Sequence, residues 1–221
     1  QDAAYLHITT NNTLYGSRYS AFPDAGNVPL IADQTSEILS RVVDYSKFGC
    51  IYAGLQKNLG PSGTAIVVIR EDLLGYASPE TPVLLNYEQC AKDNSLTNTA
   101  NTFAIYVTGL VLEWLQEQGG VAAIEKINEQ KAKTLYDLID AGDYYRGVIQ
   151  PECRGTMNVS FNLASEELEA KFLKEAGAQG LYALKGHRSV GGIRASIYNA
   201  MPLDSVKTVC QFMEEFMRRN G

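Results

Sequence analysis

Five successive apolar residues, Ala65-Ile-Val-Val-Ile69, leave no polar face for water. A strand alternates its side chains between two faces, so such a run suits a sheet covered on both sides, as in α/β proteins. Residues 5–9, 28–32 and 50–55 are similarly rich in apolar and β-branched side chains, bounded by Gly, Pro, Asn and Asp. With residues 64–70 they predict four strands in the first half of the chain. The turn-rich connection Gln56-Lys-Asn-Leu-Gly-Pro-Ser-Gly63 is short enough to join the last two as antiparallel neighbours. Residues 36–43 are expected to form a short helix capped by Asp33, Thr35 or Ser36.

From about Thr99 the period changes. Phe103, Tyr106, Val107, Leu110, Val111 and Leu115 recur at spacings of three and four, which predicts a helix with one wide apolar face. Gly119-Gly120 stops it. A second helix is expected over 121–141, with Ile124, Ile127, Leu135, Leu138 and Ile139 on its inner stripe. A strand over 156–162, a helix over 165–176 and a strand over 192–198 follow. The last helix carries Leu203, Val206, Val209, Cys210, Met213, Phe216 and Met217 along one face, a core-packing stripe. The shift near Gly119 predicts an open α/β sheet before it and a smaller α+β unit after it.

Composition excludes several functions. Nineteen Lys and Arg against 25 Asp and Glu give a net charge of -6, which argues against a non-specific nucleic-acid binder. A few well-placed cations can still bind a small anion. No apolar run approaches the length of a membrane span. Cys50, Cys90, Cys153 and Cys210 form no CxxC pair, and His7 and His187 are the only histidines, so no metal site is expected. Free thiols and the lack of a secretory signal point to a reducing, cytoplasmic compartment. A start without Met points to a trimmed or partial chain.

Three features could carry chemistry. Lys57 lies in a Gly/Pro-rich turn directly after an apolar strand; it is either a solvated loop lysine or one whose desolvation favours the neutral amine that a Schiff base requires. A phosphate-cradling loop over 54–63 fails on glycine spacing, with Pro61 where the lysine should stand. Asp33 ends an apolar run; it is either a helix cap or a carboxylate at the strand end where open α/β sheets bind ligands. Gly186-His-Arg-Ser-Val-Gly-Gly-Ile-Arg194 gathers two arginines and a histidine, as a solvated basic loop or a dianion site. Arg194 alternates with Ile193 and Ala195, so its side chain is expected on the opposite strand face.

Together these stretches resemble the phosphoserine aminotransferase family of class-V pyridoxal-phosphate enzymes. The similar segments are Ile51-Tyr-Ala-Gly-Leu-Gln-Lys-Asn-Leu-Gly-Pro-Ser-Gly63, Asn98-Thr99 with Thr102-Phe-Ala-Ile-Tyr106, and Ala183-Leu-Lys-Gly-His-Arg-Ser-Val-Gly-Gly-Ile-Arg-Ala-Ser-Ile-Tyr-Asn-Ala-Met-Pro202. The resemblance runs the length of the chain, in order, but matches only the later part of the family's sequence. It implies an α/β fold, the later part of a fold-type-I pyridoxal-phosphate transferase. Residues 1–118 would be the remainder of the large cofactor-binding domain, with a partial mixed sheet, and residues 119–221 the small C-terminal α+β domain.

The resemblance also implies roles. Lys57 would form the Schiff base with pyridoxal 5'-phosphate and shuttle the substrate proton. Asp33 would pair with the pyridinium nitrogen, Thr13 would reach the cofactor ring and Gln56 its phosphate. Asn98 and Thr99 would contact the phosphate of a neighbouring subunit, which makes a homodimer part of the active site. Arg194 would hold the substrate α-carboxylate, and His187 with Arg188 the distal phosphate or glutamate carboxylate. The family reaction exchanges an amino group between O-phosphoserine and 2-oxoglutarate, giving 3-phosphooxypyruvate and glutamate on the route to serine. Ala100-Asn101 stands where the family usually shows two prolines, which predicts a less rigid loop. Absent from the resemblance are the family's Gly/Ser phosphate loop, stacked aromatic residue and further arginine, so the chain as given is expected to be catalytically incomplete. A dimerisation or scaffold module, or a related aminotransferase with another substrate, are the alternatives.

Overall fold

A computed structural model of the chain describes residues 3–221. It divides into two compact units that interleave along the sequence. Unit 1 holds the residues up to Thr9, Pro23–Thr35 and Val43–Trp114; unit 2 holds Thr10–Phe22, Ser36–Val42 and Leu115–Gly221.

Unit 1 is built on a four-stranded mixed sheet in the order β1 (Leu6–Thr9), β4 (Leu30–Asp33), β5 (Cys50–Gly54), β6 (Ala65–Ile69). β1, β4 and β5 are parallel, and β5 pairs antiparallel with β6, as the short connection predicts. The alternation of the pleat is visible in burial. Ile8, Leu30, Ala32, Ile51 and Ala53 share one covered face, while His7, Asp33 and Tyr52 lie on the other. The run in β6 departs from expectation: Ile66 and Val68 are 41% and 53% exposed. β6 is the edge strand, paired on one side only. An apolar face is suited to burial, but the sequence of a strand does not say what covers it.

α1 (Tyr87–Lys92) and α2 (Thr102–Glu117) follow, α2 leaving unit 1 at Leu115. The single apolar face expected for α2 is corrected to two. Ala104, Val107, Val111 and Leu115 turn inward, whereas Phe103, Tyr106 and Leu110 are 68%, 66% and 46% exposed. Asn101 caps this helix: its side-chain Oδ1 accepts the Ala104 amide at 3.2 Å.

Unit 2 combines a short hairpin, β2 (Asn11–Asn12) with β3 (Ser17–Arg18), and an antiparallel sheet β7 (Arg146–Gly147), β8 (Asn158–Asn162), β9 (Ile193–Ser196). α3 (Val121–Asp140), α4 (Glu166–Ala178) and α5 (Leu203–Asn220) complete it. Its core is continuous: Leu135, Ile139, Val159, Phe161, Phe172, Ile193, Met213 and Phe216 are all within 1% of full burial. On α3 the inner stripe also takes in Asn128 and Lys131, while Ile127 and Leu138 are half-buried.

The helix expected over 36–43 does not form. Those residues make successive turns, with Leu39 at φ +57°, a left-handed conformation costly for a branched side chain. Its carbonyls are engaged from elsewhere in unit 2: Leu39 O accepts Asn199 Nδ2 at 2.9 Å and Ser40 O accepts Asn128 Nδ2 at 3.0 Å. Tertiary hydrogen bonds replace the helical ladder. All four cysteines are free thiols. Among the described residues no helix is long and apolar enough to cross a membrane.

Candidate functional site

In unit 1, Asp33 and Lys57 come from neighbouring parallel strands at the same, carboxyl end of the sheet. Asp33 closes β4 and stands opposite Tyr52 of β5. β5 runs two residues further, to Gly54, and Lys57 lies half-buried in the single turn that follows. That turn is closed by the amides of Leu59 and Gly60, which both donate to the Leu55 carbonyl at 3.2 and 2.7 Å. The end of a parallel sheet is where chain leaves the hydrogen-bond ladder and side chains become available to a ligand.

Thr35 ties the two strand ends together. Its amide donates to Asp33 Oδ1 at 2.8 Å and its Oγ1 accepts the Gly54 amide at 3.2 Å. The Gln34 amide donates to Tyr52 O at 2.8 Å. Asp33 therefore combines a local amide contact of capping type with a position at the strand end, though no helix follows it. On the same sheet face, His7 Nε2 and the Tyr52 hydroxyl are 3.0 Å apart. Burial, then the charge of Asp33, raises the Tyr52 phenol above its ordinary value. Neither His7 nor Tyr52 was marked as a site residue by sequence; the alternation of β1 and β5 against Asp33 is the signal that finds them.

The remaining unit 1 candidates are all exposed. Gln56 is exposed at the start of the Lys57 turn. Asn98 and Thr99 are exposed in the loop before α2, where Asn98 Nδ2 donates to Thr99 O at 2.9 Å.

Unit 2 gathers a second group. Ile193 and Ala195 are buried and Arg194 lies on the opposite face of β9, as alternation predicts. Arg194 Nη1 donates to the backbone carbonyl of Thr13 at 3.2 Å, and its Nε is buried without a protein partner. Thr13 thus joins Arg194, through its main chain, in the turn of the β2–β3 hairpin. That turn rests on β8: Gly16 has φ +84°, and a Cβ there would strike the Asn158 carbonyl. Beneath it runs a buried amide chain that sequence did not reveal. Asn11 Nδ2 donates to Asn158 Oδ1 at 3.1 Å, and Asn158 Nδ2 donates to Ser196 Oγ at 3.1 Å and to the Tyr198 hydroxyl at 3.2 Å.

His187 and Arg188 sit in a separate hairpin turn of unit 2. Gly186 N donates to Gly192 O at 2.9 Å to close it. A Cβ on Gly186 would strike the Gly191 carbonyl. The turn borders an open pocket of about 670 Å3, lined also by Lys185, Asn162, Ser165 and Glu169.

The class-V aminotransferase family model matches residues 1–209 of this chain. Phosphoserine aminotransferases of Lysinibacillus sphaericus and Pseudomonas aeruginosa are 53% and 52% identical to it over 221 residues, all of this chain and 61% of each relative. The solved phosphoserine aminotransferase of Bacillus circulans subsp. alkalophilus superposes with a TM-score of 0.97 at 50% identity, covering 100% of this chain and 62% of that one. The pyridoxal-phosphate-bound enzyme of Trichomonas vaginalis gives 0.92 at 39% identity, over 97% and 61% of the two chains. The chain therefore spans about three fifths of the length of the curated relatives it matches. By its fold and along nearly its whole length, this chain belongs to the class-V aminotransferases.

Proposed function

We propose that this chain belongs to a pyridoxal-phosphate-dependent enzyme that exchanges an amino group between O-phosphoserine and 2-oxoglutarate, acting as a homodimer. The observation that carries the reading is the placement of an amine and a carboxylate, Lys57 and Asp33, at the same end of adjacent parallel strands. That pair fits the cofactor chemically: an aldehyde needs an amine, and a protonated ring nitrogen needs a fixed anion. The buried, unpartnered Nε of Arg194 in turn fits a carboxylate ligand.

When bound, the cofactor supplies an aldehyde that condenses with amines and a ring that accepts electrons. The residues of the chain do the rest. Asp33, held by the Thr35 amide, keeps a negative charge at the ring nitrogen. Lys57 takes the proton from the substrate Cα and returns it. Arg194 already donates Nη1 to Thr13 and keeps its buried Nε without a protein partner, so its guanidinium is the group that holds the substrate α-carboxylate. His187 and Arg188 bind the distal phosphate of phosphoserine or the side-chain carboxylate of glutamate. Thr13 and Gln56 contact the cofactor, and Asn98 and Thr99 its phosphate in the second subunit.

The test uses the full-length protein loaded with pyridoxal phosphate. Turnover of phosphoserine with 2-oxoglutarate is expected, with an adduct that borohydride traps on Lys57. Lys57→Ala should remove the adduct and slow turnover by about a thousandfold. A trapped adduct that survives Lys57→Ala, or no turnover of phosphoserine by the intact protein, overturns the reading.

A further inference from the structure

His187 is fixed by its own turn in a way that decides what its ring can do. The backbone amide of Ser189 points its hydrogen at His187 Nδ1, 3.3 Å away. A main-chain N–H only donates, so Nδ1 carries a lone pair there and not a proton. The Ser189 hydroxyl lies 2.7 Å from the same nitrogen and must also be donating to it. A neutral imidazole has one ring proton, and the only place left for it is Nε2.

The turn that makes this contact is tightly closed. Val190 and Gly191 amides both donate to His187 O, at 2.9 and 2.8 Å. Gly191 and Gly192 take φ of +76° and +69°, which lets the chain return to pair Lys185 with Ile193. Ser189 thus reaches back two residues to hold a ring whose neighbour, Arg188, borders the same pocket.

We propose that Ser189 is a positioning residue for substrate recognition: it locks His187 as the Nε2–H tautomer, so that the ring meets the distal group as a hydrogen-bond donor. This rests on the reading of function above, in which His187 faces a phosphate or carboxylate. A locked donor beside the Arg188 guanidinium accepts oxyanions and rejects side chains that themselves bring only donors. The opposite tautomer would present a lone pair to the substrate anion, which repels it.

Two measurements on the full-length holoenzyme test this. Long-range 15N–1H spectra of histidine-labelled protein, with His187 assigned through His187→Gln, should show a bare Nδ1 and a protonated Nε2. Ser189→Ala removes the 2.7 Å hydroxyl contact and leaves only the longer 3.3 Å amide contact, so it should weaken the lock, admit a minor Nδ1–H population and raise the KM for phosphoserine about fivefold with kcat within about twofold. Ser189→Thr, which keeps the hydroxyl, should restore both. The half-reaction with L-alanine, which has no distal anion, should be unchanged by Ser189→Ala. A protonated Nδ1 in the unmutated protein, an unchanged phosphoserine KM, or equal slowing with L-alanine overturns the proposal. Failure of the intact protein to use phosphoserine would sink the functional reading alone, because the ring spectrum still decides the tautomer.

Discussion

The two units use apolar residues differently. In unit 2 the ring of Phe172 meets those of Phe161, Phe212 and Phe216 edge to face at 6.1, 4.9 and 5.1 Å, and Phe212 lies tilted against Phe216 at 5.9 Å. Tyr145 joins them and donates its hydroxyl to Met213 O at 2.7 Å, so even the polar atom is satisfied. Unit 1 covers one face of its sheet but leaves Val83, Leu84 and Leu85 more than half exposed, together with the outer face of α2. Periodicity in a sequence identifies a face that is fit for burial. Whether that face is buried depends on what packs on it, and that information is not local.

The sharpest way to break this comparison is in the unit 2 core. Phe172 has no exposed surface and touches Phe161, Phe212, Phe216 and Tyr145. Phe172→Ala should lower stability by about 3–5 kcal/mol through lost burial and a cavity that four aromatic neighbours cannot fill. Urea unfolding followed by near-ultraviolet circular dichroism checks it. A loss below about 1 kcal/mol would mean the core is far looser than its packing.

A smaller effect is expected at Lys131, the one charged residue among the largest fully buried side chains of the described residues. Its Nζ donates to the carbonyls of Ile197, Tyr198 and Met201 at 2.9, 2.8 and 3.1 Å. The ammonium thereby fastens the chain that leaves β9 to α3. Lys131→Met keeps most of the volume but strands three carbonyls, and should cost about 2–3 kcal/mol. Hydrogen exchange at residues 197–201 reads that loss locally. Burial outweighs the three acceptors and lowers this amine from 10.5 to about 8. Between those values the unfolded chain binds a proton that the folded chain has released, so stability rises with pH across that window. Below about pH 8 both states are charged and the full cost of burying the ammonium is present. The gap between the parent chain and Lys131→Met should therefore widen in favour of the parent from pH 8 to pH 10.

Much of this was legible in the sequence, and the exceptions share a cause. The strand ends that carry Asp33 and Lys57 follow from short apolar runs with sharp punctuation, and the β5–β6 pairing follows from a connection too short for a crossover. The α5 stripe was legible because core and period coincide there, although Phe212 is also buried beside it. Lys131 was not legible: a lysine on an amphipathic helix reads as solvated, and only distant carbonyls near residue 200 make its burial tolerable. The segment 36–43 has helical composition, yet Asn128 and Asn199 take up its carbonyls from more than eighty residues away. The tie between Thr13 and Arg194 runs through a backbone carbonyl, which no residue type advertises. What failed in each case was a long-range polar contact, not a propensity.

The smallest effect should come from the outer face of α2, and it bears directly on the comparison. Phe103 and Tyr106 are 68% and 66% exposed, so substitution removes only the minor part of each ring's surface that folding of this chain has hidden from water. Phe103→Ser in the 221-residue chain should change unfolding free energy by no more than about 0.5 kcal/mol, against the several lost at Phe172. Its clearer consequence should be on solubility, because the outer face of α2 loses its most exposed ring. Repeating the measurement over a range of protein concentration separates the terms. A stability loss of several kcal/mol that grows with concentration would show that a second copy covers this face. One independent of concentration would mean that the face is packed within the chain, and that the two units bury their apolar residues alike.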